Sequence, residues 1–189
     1  MARITAQQAG GQNIVAFLDA IAGPGVEDTA MNPATLDDGY DILVSGKPIS
    51  LNDGKGSPIP PGLVTSIGIK NRFNNAYVNH PNVLVQVNAS LKSSAAGRYQ
   101  IMTRWWPAYQ KQLNLPDFGP ISQDLYAIQQ IREQKAISLL LAGRFFDAVN
   151  ACSGIWASLP GTNQIQGQNK ASPQLLVAHY TAAGGVVTA

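Results

Sequence analysis

The sequence predicts an α+β fold that is mostly helical and carries a small β-rich lobe. Apolar residues recur with helical spacing towards both ends of the chain, whereas residues 40–88 are extended and rich in turn residues. Hydrophobic residues make up 45% of the 189 residues, which is enough for one core. We therefore expect a single domain over residues 1–189, with a helical body formed by 1–28 and 89–189.

Composition excludes several function classes. Thirteen lysines and arginines nearly balance eleven acidic residues, whereas a nucleic-acid-binding domain concentrates cations, so no nucleic-acid partner is expected. Cys152 is the only cysteine, which rules out an intrachain disulfide and predicts a small buried apolar residue. The sequence also has only two histidines, so a zinc site of the usual kind cannot easily be assembled. We therefore expect no metal and no cofactor.

Targeting signals are not evident in the chain. No apolar run approaches the ~18 residues that span a membrane. The first residues also lack the order of a secretory signal, which is charged, then apolar, then small. The sequence therefore predicts synthesis in the cytoplasm without stable membrane insertion.

The first half of the chain predicts one helix followed by the lobe. The helix should run from Ala6 to Ala22 and end at Gly23-Pro24-Gly25, with one apolar face formed by Ile14, Phe17, Leu18 and Ile21. The extended pieces predicted after it are Tyr40–Gly46, a weak strand at Leu63–Ile69, and Val83–Val87.

The second half predicts four further helices. Their expected spans are 97–113, 122–142 with Ser122 as its cap and Leu125 facing inward, 145–159, and a last one begun by Ser172-Pro173. In the first of these helices, Trp105 is expected in the core and Trp106 as a half-exposed platform.

Glu27 is the candidate for acid–base chemistry, because it is one of only two glutamates and follows the first helix. A carboxyl at the negative end of a helix dipole, turned into a cleft, has a raised pKa. A carboxylic acid still protonated near neutral pH is what cleavage of a glycosidic bond requires. The alternative is an ordinary solvated loop glutamate.

Residues 93–100 form a second candidate cluster. Small residues there permit close approach of backbone to a sugar, and Tyr99 and Gln100 can contact hydroxyl or N-acetyl groups. The alternative is an ordinary helix start in which Gly97 serves packing.

Several strings in order along the chain resemble one family. They include Ala16-Phe17-Leu18-Asp19-Ala20-Ile21-Ala22, Gly39-Tyr40-Asp41-Ile42-Leu43-Val44, Gly97-Arg98-Tyr99-Gln100, Arg104-Trp105-Trp106, Ser122-Gln123-Asp124 and Ile155-Trp156-Ala157-Ser158-Leu159-Pro160-Gly161. Over residues 12–185 the chain resembles the phage lambda lysozyme family, whose members are endolysins acting as lytic transglycosylases on peptidoglycan.

The resemblance implies a lysozyme-like domain in which the lobe forms a lip over a substrate groove. It implies Glu27 as the catalytic acid that cleaves the bond between N-acetylmuramic acid and N-acetylglucosamine and leaves 1,6-anhydro ends. The substrate-binding residues that it implies are Tyr40, Gly97, Arg98, Tyr99, Gln100, Gln123 and Asp124. It further implies a monomer that binds glycan strands of peptidoglycan and reaches the periplasm from the host cytoplasm through a holin pore.

Two segments depart from the family pattern. The stretch Ala22–Thr29 is two residues longer than the family's glutamate run, with Glu27 as the natural occupant of the acid position and Asp28 as a poorer one. The stretch Gly46–Asn79 is also longer, at the place of the family's lip. Two alternatives therefore stay open: a virion-associated enzyme docked by the long stretch, and a wall-binding module that has lost catalysis.

Overall fold

A computed structural model describes residues 1–48, 77–161 and 171–188. Its helices, in chain order, are α1 Ala6–Ala9, α2 Gln12–Ala22, α3 Trp106–Gln112, α4 Pro120–Glu133, α5 Ile137–Leu141, α6 Phe145–Cys152 and α7 Pro173–Ala182. Its strands are β1 Ile42–Leu43, β2 Lys47–Pro48, β3 Val85–Gln86 and β4 Lys92–Ser93. The predicted strand at Leu63–Ile69, and most of the long stretch Gly46–Asn79, lie outside the described residues.

Helix α2 is the centre of the core. Eight of its eleven residues are buried, and it packs against α1, α4, α5 and α7. Phe17 meets the ring of Phe145 edge-on at 6.1 Å between centroids. Because α2 is surrounded by helices, the loop that follows its C-terminal end is attached to a closely packed part of the core.

The predicted helix from Ala6 to Ala22 is two helices instead. Gly10 has a φ of 92°, and its N–H donates to the carbonyl of Ala6 at the end of α1. Helix α2 starts after Gly11. Paired glycines supply the left-handed backbone that ends a helix, so the periodic apolar face is retained while the axis breaks.

The prediction of a helix over residues 97–113 is wrong for its first half. Ala96 and Ile101 form an antiparallel bridge around a tight turn in which Gly97 and Gln100 both have positive φ. The helix covers only Trp106–Gln112. The order of the tryptophans is also the reverse of the expected one, because Trp106 is 3% exposed and Trp105 is 50% exposed.

The predicted helix from 122 to 142 is divided at Lys135, whose φ is 58°. The cap is Gly119, while the hydroxyl of Ser122 donates to a carboxyl oxygen of Asp117 at 2.9 Å. Leu125, expected to face inward, is 36% exposed. The cap therefore lies three residues earlier than predicted.

Near the C-terminus the expectations are partly confirmed. Helix α6 ends at Cys152, earlier than predicted, and turns continue to Leu159. Cys152 is buried as expected. Helix α7 begins at Pro173, and the hydroxyl of Ser172 accepts the N–H of Leu175, as the sequence predicted.

The described β-structure is small and antiparallel. Strand β1 pairs with β2, and β3 pairs with β4. Leu43 also bridges to Ala96, which ties β1 to the turn that follows. The predicted α+β, mostly helical class is confirmed. Within the described ranges, no helix is long and apolar enough to cross a membrane.

Candidate active site

The loop after α2 folds back onto the end of that helix. The N–H of Glu27 donates to the carbonyl of Ile21 at 3.1 Å, and that of Asp28 donates to Gly23 at 3.2 Å. Asp28 has a φ of 54°, and its carboxylate accepts the N–H of Gly25 at 2.8 Å. Glu27 is therefore held on an anchored turn.

Burial of the Glu27 carboxyl raises its pKa from an ordinary value near 4.5 to about 8, and the negative charge of Asp28 adds to the rise. Both causes disfavour the ionised form. A carboxyl with this pKa carries its proton at neutral pH and can give it to a leaving oxygen. Glu27 thus has the raised pKa that its position after the first helix predicts and that a general acid needs.

The second part of the site is the turn at residues 97–100. The N–H of Gly97 donates to the carbonyl of Ile42 at 2.7 Å, and the side-chain amide of Gln100 donates to the Gly97 carbonyl at 2.9 Å. Gly97 has a φ of 78°, and a Cβ there would overlap the side-chain oxygen of Gln123. Only glycine fits this position, which accounts for the Gly-Arg-Tyr-Gln string by backbone shape.

One hydrogen bond joins the two parts. The hydroxyl of Thr29 donates to the backbone carbonyl of Arg98 at 2.6 Å, and Thr29 is 2% exposed. The loop that holds Glu27 and the turn that holds Gln100 are therefore fixed to each other. Sequence reasoning missed Thr29, because nothing in a loop threonine indicates a partner 69 residues away.

Asp124 is the centre of a buried hydrogen-bond cluster beneath this turn. One of its carboxylate oxygens accepts the hydroxyls of Tyr40 at 2.7 Å and Tyr99 at 2.6 Å. The other accepts the backbone N–H groups of Arg3 and Ile4, each at 2.8 Å. Burial raises the pKa of Asp124, while these hydrogen bonds act in the opposite direction by favouring the charged form.

Arg98 lies next to the cluster and is 1% exposed. Its guanidinium forms an ion pair with Asp19 at 2.7 Å, donates to the carbonyl of Asp38, and stacks 5.3 Å from the ring centroid of Tyr40. Asp19 and Asp38 were not among the predicted site residues, since an acidic residue on a helix or in a polar loop is ordinarily solvated.

Gln123 connects the turn to the core. Its side-chain oxygen accepts the N–H of Arg98 at 2.9 Å, and its nitrogen donates to the carbonyls of Phe118 and Tyr40. It is fully buried, as are Tyr40 and Asp124.

The structure therefore brings the predicted substrate-binding residues together in two layers. Gln100 is partly exposed, and the others lie beneath it with internal partners: Tyr40, Gly97, Arg98, Tyr99, Gln123 and Asp124. In this arrangement the buried residues support the turn from beneath, and Gln100 is the residue whose side chain is exposed enough to contact a ligand.

A family model described as Endolysin matches residues 15–187. The chain belongs to the endolysin family. It is 40% identical over 172 residues to the endolysin of Escherichia phage lambda, covering 91% of each chain. It is 42% identical over 178 residues to that of Escherichia phage P2, covering 93% of this chain and 94% of the relative.

Solved structures agree with the family. A bacteriophage lambda lysozyme complexed with a chitohexasaccharide superimposes on this endolysin with a TM-score of 0.69 at 34% identity, covering all of both chains. A second structure of the lambda lysozyme matches with the same TM-score at 33% identity. The family resemblance and the lysozyme-like fold that the sequence indicated are both confirmed. This endolysin is a lysozyme-type enzyme that degrades peptidoglycan.

Proposed function

We propose that this endolysin is a lytic transglycosylase that cleaves the β-1,4 bond between N-acetylmuramic acid and N-acetylglucosamine. Its product would be a glycan strand with a 1,6-anhydro-N-acetylmuramic acid end. The observation that carries the proposal is the environment of Glu27, which keeps a single carboxyl protonated at neutral pH on an anchored turn.

The reaction needs one acid and no added water. Glu27 gives its proton to the glycosidic oxygen as the bond from that oxygen to C1 of the muramic ring breaks. The resulting carboxylate then takes the proton of the C6 hydroxyl on the same ring, and the C6 oxygen bonds to C1. Glu27 ends the cycle protonated, and the atoms of the substrate are redistributed without loss.

The surroundings of Glu27 favour this one-carboxylate route. Most glycoside hydrolases place a second carboxylate across the scissile bond as nucleophile or base. Among the residues that the structure describes, the acidic neighbour that acts on Glu27 is Asp28, whose carboxylate accepts the N–H of Gly25 within the same turn. Asp28 is thus occupied in supporting the loop, and the C6 hydroxyl of the substrate supplies the nucleophile.

Substrate binding is proposed to divide between the two layers of the site. Gln100 contacts the sugar, and Gly97, whose missing side chain makes room for Gln123, shapes the turn that presents Gln100. Tyr40, Arg98, Tyr99, Gln123 and Asp124 hold the turn in position from beneath, as their internal hydrogen bonds support.

The cellular setting proposed is that of lysis. The enzyme is made in the host cytoplasm, leaves it through a holin pore and acts as a monomer on peptidoglycan in the periplasm. A search for the chain in purified virions tests the competing role at entry, because a tail or baseplate component would be found in the particles.

The test of the chemistry is the mass of the products from purified murein. A 1,6-anhydro end is lighter than a reducing end by one water, so mass spectrometry separates the two reactions. The Glu27→Gln variant should lose more than nine-tenths of the activity, because an amide cannot donate the required proton. The matched control is Asp28→Asn, which should retain activity at pH values well below 8, where Glu27 stays protonated in both proteins. Reducing ends, or an active Glu27→Gln, would contradict the proposal.

A further inference from the structure

Charged residues are distributed unevenly along the chain. Residues 1–53 contain seven acidic residues and two lysines or arginines, whereas residues 54–116 contain seven lysines or arginines and no acidic residue. Residues 117–189 contain four of each kind. The small net charge of +2 therefore results from an acidic segment and a basic segment that follow each other directly.

Most cations of the basic segment lack an acidic partner within the part of the chain that the structure describes. The exception is Arg98, which is buried and forms an ion pair with Asp19. Lys92, Arg104 and Lys111 are exposed, and none of them forms an ion pair with a carboxylate of the described residues. Positive charge that is not compensated on a surface attracts an anionic partner.

Two of these exposed cations lie on neighbouring segments beside the turn at residues 97–100. The chain runs antiparallel on either side of this turn, and the hydroxyl of Ser94 accepts the N–H of Thr103 at 3.4 Å. Lys92 precedes Ser94 by two residues, and Arg104 directly follows Thr103. Lys92 and Arg104 therefore form a basic edge of the turn that presents Gln100.

The guanidinium of Arg104 is held at the surface by an aromatic ring. It lies 5.0 Å from the ring centroid of Trp105, which is 50% exposed. A guanidinium stacked on an aromatic face keeps the N–H groups at the edge of its plane free for an acceptor. Arg104 and Gln100 line the same cleft, so a ligand that lies over Gln100 comes close to this charge.

One carboxylate lines the same cleft, and protein donors already occupy it. The hydroxyl of Tyr109 donates to one oxygen of Glu133 at 2.6 Å, and the amide of Gln129 donates to the other at 2.8 Å. No ion pair joins Glu133 to Arg104. The charge of Arg104 is therefore available to a carboxylate that a ligand brings.

The substrate of the proposed reaction carries carboxylates near the cleaved bond. The stem peptide of peptidoglycan is attached through the lactyl group on C3 of N-acetylmuramic acid, the ring whose C1 loses the glycosidic oxygen, and it carries free carboxylates. The turn that presents Gln100 is fixed to the Glu27 loop by the hydrogen bond from Thr29 to Arg98. The basic edge is thus attached to the same rigid unit as the acid.

We propose that the basic edge, Lys92 and Arg104, binds the carboxylates of the stem peptide and makes the enzyme prefer peptide-bearing, anionic strands over neutral glycan. Charge complementarity of this kind acts mainly on the rate of association and on specificity. The inference rests on the proposed function, since it names a second part of the same substrate.

The test compares digestion of native murein with digestion of murein whose carboxylates have been capped as neutral methylamides. The parent enzyme should digest the capped murein more slowly. Arg104→Gln should lower kcat/KM on native murein about threefold at low salt, in the range of one exposed ion pair, and leave that on capped murein unchanged. The difference should shrink as salt is added, because salt screens exposed charges.

The matched control is Arg144→Gln, which removes an exposed arginine that pairs with Asp147 between α5 and α6. It makes the same change in net charge away from the turn, so its rates on both mureins should equal those of the parent. Lys92→Gln should reproduce the effect of Arg104→Gln, and it replaces that variant if Arg104→Gln does not fold.

The outcomes separate this inference from the proposed chemistry. Parent rates of Arg104→Gln and Lys92→Gln on native murein would overturn it, even if the products carry anhydro ends. Equal slowing on both mureins would also overturn it, because the loss would then not depend on the carboxylates. Weaker binding of the variants to anionic phosphatidylglycerol vesicles, with both murein rates unchanged, would assign the basic edge to a membrane instead. A loss confined to native murein would sustain the inference even if the products carry reducing ends.

Discussion

Glu27 is held where its neutral form is favoured, and this has a measurable effect on stability. The unfolded chain releases the Glu27 proton near pH 4.5, whereas the folded protein keeps it up to about pH 8. The contribution of this group to stability is therefore complete below pH 4.5 and is lost as pH rises towards 8. The slope is at most ~1.4 kcal/mol for each pH unit.

Replacement of Glu27 by Gln removes that loss while keeping the size of the side chain. We expect Glu27→Gln to melt close to the parent protein at pH 4 and above it at pH 8. Thermal unfolding at the two pH values is the measurement. A melting difference that is the same at both would show that the carboxyl is not kept neutral by the fold.

The charge of Asp28 contributes to the raised pKa of Glu27. Asn at this position keeps an oxygen for the N–H of Gly25 and tolerates the positive φ, but removes the negative charge beside Glu27. The pKa of Glu27 should fall, so the alkaline limb of murein digestion should move to lower pH in Asp28→Asn. An alkaline limb that stays in place would assign the loss of activity at high pH to another group.

At the scale of elements, Thr29 is the connection between the acid's loop and the turn that carries Gln100. Thr29→Val keeps the shape and leaves the buried carbonyl of Arg98 without its donor, which should cost ~1–3 kcal/mol of unfolding free energy. Activity should fall further than stability alone explains, and Thr29→Ser should restore both. Chemical denaturation and murein digestion on the three proteins decide it. A Val variant that unfolds early but digests normally when folded would make the contact structural only.

The turn itself requires glycine for space as well as for backbone angle. Gly97→Ala places a methyl against the side chain of Gln123, whereas Gly10→Ala has a similar φ and meets Ile14 at an ordinary 3.7 Å. Both variants bear the strain of a positive φ, so the difference between their unfolding free energies reports the overlap with Gln123. We expect Gly97→Ala to be the less stable by ~1–3 kcal/mol. Equal losses would mean that Gln123 moves aside freely.

The ends of the helices show which features of the fold local sequence signals can predict. Ser172-Pro173 marks a helix start that the structure has, because a cap and a first-turn proline act locally. The break at Lys135 was missed, because a lysine with a φ of 58° carries no local signal for a helix end. Where the backbone angle depends on tertiary contacts, propensity cannot supply it.

At the scale of the whole molecule, the strings that indicated the family also identified residues that belong together. These strings could not indicate which of the residues are exposed to solvent and which are buried. Tyr40 is predicted as a sugar contact, yet its hydroxyl donates a hydrogen bond to the carboxylate of Asp124, 84 residues further along the chain. The raised pKa of Glu27 was predictable from its position after a helix, whereas the burial of Arg98 beside Asp19 depends on a pairing across 79 residues.

The carboxylate of Asp124 also constrains the order in which the protein can be completed. Its oxygens accept hydrogen bonds from the backbone N–H groups of Arg3 and Ile4 and from the hydroxyls of Tyr40 and Tyr99. Residues 3 and 4 therefore find their partner only after about 120 further residues have been synthesised. Contacts of such long range form slowly and late, because the intervening chain must first be ordered. A nascent chain that ends before residue 124 cannot close this cluster, and the turn that carries Gln100 lacks its support until then.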